Sequence, residues 1–142
     1  MAIFTDMPAR PRAGPSVGLR APVIRRGALV AGVALAVTLA FALGQPARAL
    51  AADPDLARLL RGMAVLKAAI ALAAGLAVWW RFGQPASWAV TGVYAGSVAA
   101  MAGVAGALWR LSGLEWISVL FHAALLAIAV TALRDGMGRR AP

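Results

Sequence analysis

Lys67 and His122 are side chains with a basic nitrogen placed well inside apolar runs of this sequence. Lys67 follows Leu59 by about two helical turns. A cation at such depth is costly in hydrocarbon and marks a functional contact by default. Two roles fit it. Its butyl stem can snorkel to the headgroups, with Arg61 about one and a half turns nearer the surface. Alternatively it holds an anion, a lipid headgroup or a partner subunit. It continues the stripe Lys67, Ala71, Gly75, which predicts that it faces a packed side.

His122 is the only histidine. Glu115 lies two turns earlier on the same predicted face. Imidazole ligates haem or relays protons. A transmembrane haem b normally takes a pair of histidines, so haem here needs a partner chain or a dimer axis. The leading expectation is a structural histidine bonded to a neighbouring helix. Tyr94 sits between Gly92 and Gly96 in sequence, and its phenol reaches His122 if the third and fourth helices pack as a hairpin. Thr91, Ser97, Ser118 and Thr131 are expected to bond within their own helix or to a neighbour.

The residues that are missing narrow the chemistry further. There is no cysteine, which excludes disulfides, thiolate metal sites and cysteine nucleophiles. No carboxylate is expected at mid-membrane, which argues against a small proton-coupled exporter. No HExxH, Walker loop, GxSxG or acidic metal cluster occurs. The expectation is a protein without catalysis, cofactor or metal.

The elements that position these residues are lipid-soluble. The chain has 142 residues, 62% hydrophobic and 13% charged, against roughly 25% charged in soluble domains. Its mean hydropathy is +0.80. Residues 87–108 contain no charge, histidine or proline, and Arg81 and Arg110 fence 28 uncharged residues between them. A helix needs about 20 to span. Small residues recur there at every fourth place: Gly92, Gly96, Ala100, and on a neighbouring stripe Ala95, Ala99, Gly103. Such stripes let helix backbones approach closely in lipid. Gly96→Leu is therefore expected to leave helicity intact and lower bundle stability.

The predicted architecture is all-α, an up-down four-helix membrane bundle of two antiparallel hairpins. Residues 1–26 read as a disordered basic arm, because its prolines break helix and its arginines repel. Residues 27–133 read as the transmembrane domain, with spans near 27–44, 59–80, 86–109 and 114–133. Residues 134–142 read as a frayed tail. The first span carries the stripe Ala28, Gly32, Ala36, Ala40, Gly44. Ala49-Leu50-Ala51 matches a signal-cleavage pattern. The long arm before the apolar run and the small-residue stripe favour a retained helix. Asp53 is placed to cap a second helix that begins at Pro54 and has Asp55 in its first turn. The Arg81–Pro85 segment is a tight turn.

The net charge is +9. The basic residues sit at the ends of apolar runs, so the charge fixes orientation and is not a nucleic-acid signal. With four spans, nine arginines share the side of the arm, the Arg81 turn and the tail, and four lie opposite. That asymmetry puts both termini in the cytoplasm. The excess of Arg over Lys and the abundance of Ala suggest a GC-rich bacterial gene, hence an inner membrane. The expected partners are the bilayer, other membrane subunits, and anionic lipid along the N-terminal arm. Three functions follow in order: an accessory or assembly subunit; an oligomeric transporter or channel using Lys67 and His122; a redox subunit with His122 at haem or quinone.

Overall fold

The computed structural model describes residues 20–45, 53–112 and 114–138. Over these residues it has four helices and no strand: α1 (Arg20–Leu43), α2 (Pro54–Arg81), α3 (Trp88–Trp109) and α4 (Leu114–Gly138). Each is long and apolar enough to cross a membrane. Residues 1–19, the cleavage pattern at 49–51 and the tail beyond 138 lie outside the described residues.

Local chemistry sets the helix ends. Asp53 Oδ1 accepts from the amides of Asp55 and Leu56 at 3.0 and 3.1 Å. Pro54 takes the first helical position, where no amide is needed. Ser87 Oγ accepts from the Val90 amide at 3.3 Å and opens α3. At the other end of α3 the Ser112 amide donates to Ala107 O and the Leu111 amide to Leu108 O, both at 3.0 Å. This is a Schellman closure, which normally places glycine in the left-handed position. Here Leu111 occupies it, with φ 57°. That conformation costs a non-glycine residue about 1–2 kcal/mol. The Leu111 side chain is buried, and burying a leucine stabilises by about 1.5–3 kcal/mol, which offsets the strain.

Two helices run further than the sequence reading places them. α1 starts at Arg20, not near residue 27. Pro22 falls in its first turn, where the missing amide has no partner to lose. Arg25 and Arg26 are therefore helical residues with fixed directions, not part of a loose arm. α4 continues past 133 to Gly138, and Asp135 in that extension bonds to Arg81.

α3 is the hub, and each of the other three helices packs along it. α1 lies parallel to it: Gly32 faces Ala99, Ala36 faces Gly103 and Ala40 faces Gly106. α2 and α4 share its other side. Ala64 and Ala71 of α2 meet Met101, Val104 and Leu108 of α3 and Ile117, Phe121 and Ala124 of α4. Nearer the α2–α3 turn, Leu29, Val78, Phe82, Tyr94 and Val98 form a second cluster. α1 and α2 run antiparallel, but each packs on α3 more than on the other. Large apolar side chains such as Leu66, Leu72 and Leu126 point outward. A surface of that kind suits lipid contact.

Candidate functional site

The polar side chains converge at the end of the bundle that holds the α2–α3 turn. Arg81, in the last turn of α2, donates through Nη2 and Nε to Asp135 Oδ2 at 2.8 and 3.1 Å. The pair is largely shielded, with side chains 16% and 24% exposed. The Tyr94 hydroxyl of α3 donates to the same oxygen at 3.5 Å. Arg81 Nη1 also donates to Pro85 O at 3.4 Å. One guanidinium thus ties α2, the turn and α4 together, and α3 joins through the phenol.

Arg25 ties α1 to the same turn. It donates to Gln84 O at 3.2 Å and to Ala86 O, and its guanidinium lies 5.6 Å from the Trp88 ring centre. The next residue, Arg26, stands 5.1 Å from the Trp79 ring centre. Its Nε is buried without a hydrogen-bond partner. Within this cluster the groups position helices. Among the described residues no His, Cys, Asp and Glu group could hold a metal.

The residues singled out from sequence are scattered. Lys67 Nζ sits 4.1 Å from the centre of the Phe121 ring on α4. Its charge thus meets an aromatic face on a packed helix. His122 is exposed on the outer surface. Its Nδ1 lies 2.6 Å from Ser118 O. A carbonyl only accepts, so Nδ1 carries the proton. The expected bond to a neighbouring helix is corrected to a bond within α4, because the ring points away from the bundle. The Tyr94 phenol bonds to Asp135. Glu115 and Arg61 are exposed at the opposite end; Arg61 borders a small pocket with Pro54, Ala57, Arg58 and Leu111.

The packing residues divide as well. A Cβ at Gly103 would lie 3.3 Å from Ala36 Cβ, one at Gly32 3.7 Å from Ala99 Cβ, and one at Gly75 3.4 Å from Val98 Cγ1. Ala71 is in the core and Ala100 packs against it. Gly92 and Gly96 are different. Both are exposed, and a Cβ at either meets nothing within 4 Å. Their expected role inside this bundle is corrected: the seam with α1 uses the neighbouring stripe of Ala99 and Gly103. Gly92 and Gly96 lie seven residues before Ala99 and Gly103, almost two full turns, and so share their face of α3. α1 covers that face at Ala99, Gly103 and Gly106, while nearer the α2–α3 turn its Leu29 packs with Val78, Tyr94 and Val98 instead.

Sequence reasoning missed Arg25, Arg26 and Asp135. One signal was present: in an up-down bundle the ends of the second and fourth helices lie together, and they carry Arg81 and Asp135. No protein-family model, curated protein or solved structure matches this chain.

Proposed function

We propose that this chain is a non-catalytic accessory or assembly subunit of a larger complex in a bacterial inner membrane, with both termini cytoplasmic. The observation that carries the reading is the outward Gly92–Gly96 pair. The helix that holds the bundle together offers bare backbone to its surroundings, with open space above both glycines. Close backbone approach is how helices associate in lipid. Lys67, Arg81 and Asp135 make contacts within the chain, which agrees with a supporting role. The arginine asymmetry, nine against four, supports the orientation.

The test is purification of the full chain from its own membrane in mild detergent, beside a Gly96→Leu variant. Stoichiometric membrane partners are expected with the first. They are lost with the variant, while its abundance and Tm stay unchanged. A lone monodisperse oligomer from both preparations would overturn the assignment.

A further inference from the structure

Because α1 and α2 both lean on α3, a groove of about 750 Å³ opens between them. That lies within the roughly 300–1,000 Å³ of small-molecule sites. Val98 and Ala102 of α3 form its floor, and Val33 and Ala68 stand on its walls. Its α2 wall runs from Ala64 to Trp79, roughly 22 Å at 1.5 Å per residue. The hydrocarbon core is about 30 Å thick, so the groove is longer than one leaflet. Its lining is almost wholly apolar.

One end of this groove is cationic. Trp79 lines that end, and the Arg26 guanidinium stands against its ring. Arg26 lies one turn before Leu29 and Val30, which line the α1 wall. It reaches across to the α2–α3 turn, where a Cβ on Gly83 would lie 3.4 Å from Nη2. The adjacent Arg25 is held by two backbone carbonyls. Arg26 makes no ion pair among the described residues, and its Nε is buried without a hydrogen-bond partner. A guanidinium presents donors in a planar fork that matches phosphate oxygens.

We propose that this groove binds an anionic phospholipid, with an acyl chain along the apolar slot and the phosphate on Arg26. A second copy of the chain is a poorer occupant. Among the described residues the carboxylate at that end is Asp135, which Arg81 already holds. The proposal does not depend on the accessory-subunit reading.

The experiment uses the full chain, freed of lipid in maltoside detergent, with Tm read during titration. The probes are phosphatidylglycerol, phosphatidylcholine with the same chains, and glycerol phosphate. A ligand that binds the folded state raises Tm by mass action. Phosphatidylglycerol should give a saturable rise of about 5–10 °C; phosphatidylcholine should give much less, and glycerol phosphate none. Arg26→Gln should weaken the phosphatidylglycerol response on the order of tenfold. Ala68→Trp, which fills the slot, should abolish the response to both lipids. Arg58→Gln, at the opposite end, should respond like the wild type. An unchanged response in Arg26→Gln, equal shifts with both lipids, or a full shift with glycerol phosphate would overturn the proposal. So would an Ala68→Trp chain that keeps its lipid response but changes its oligomeric state, since that outcome assigns the groove to a second copy. Should Arg26→Gln fail to fold, Ala68→Trp decides, with native mass spectrometry counting bound phosphatidylglycerol.

Discussion

Two ends of one face of α3 carry small residues and do opposite things. Ala99, Gly103 and Gly106 lie against Gly32, Ala36 and Ala40 of α1. Gly92 and Gly96, at the other end of the helix, face open space. The difference is complementarity. α1 brings a matching small-residue stripe in parallel register, so its backbone settles onto that of α3. No described helix brings one to Gly92 and Gly96. A small-residue pair permits close approach and does not specify a partner.

The sharpest way to break the comparison is a large side chain in the occupied seam. Gly103→Leu pushes into Ala36, whose Cβ and carbonyl oxygen lie 3.3 and 3.4 Å from the new Cβ position. Overpacking of this kind costs about 1–3 kcal/mol, and backbone contact puts this case near the top. Thermal unfolding in detergent should show the largest fall in Tm of any variant here. An unchanged Tm would mean that α1 does not dock on this edge.

A smaller effect is expected at the polar end, where charge and not shape fastens the helices. Asp135→Ala leaves Arg81 without its ion-pair partner. Exposed pairs are worth about 0.2–1 kcal/mol and removing one partner of a buried pair costs about 3–5 kcal/mol. This largely but not fully shielded pair should fall between, at about 1–2 kcal/mol. Arg81→Ala should add little once Asp135 is gone, and strict additivity in that double-mutant cycle would deny the coupling.

The seam itself can be probed more finely. Gly103→Ala places a methyl 3.3 Å from Ala36 Cβ. A loss of about 0.5–1 kcal/mol is expected, at the low end of overpacking. Ala36→Gly should restore stability in that background, because it removes the opposing methyl. Failure of the rescue would place the strain elsewhere. The smallest change in stability belongs to Gly96→Leu, with Tm within error of the wild type. The sequence alone predicts a loss there, so this variant separates the two readings of α3.

Much of the fold is legible in the chain. The four apolar runs, the Asp53 cap with Pro54, the Ser87 start of α3 and the tight Arg81 turn are local signals. Each depends on a few neighbouring residues and on the length needed to cross hydrocarbon. The helix ends at Arg20 and Gly138 were less legible. Arginines and prolines suggest disorder when read alone, yet Arg25 and Asp135 have partners roughly sixty and fifty residues away along the chain. Lys67 was marked by its depth, but its contact with Phe121 depends on how α2 and α4 lie together.

The sequence by itself determined that the chain has four membrane-length helices, where they turn, and which end gathers the arginines. Only the tertiary structure decided which face of each helix points inward. In a soluble helix an apolar stripe marks the buried side. These helices are apolar on nearly every side, because lipid solvates what water would reject. Inside and outside therefore look alike in the sequence, and the choice falls to shape: which small residue finds a matching hollow, and which is left bare.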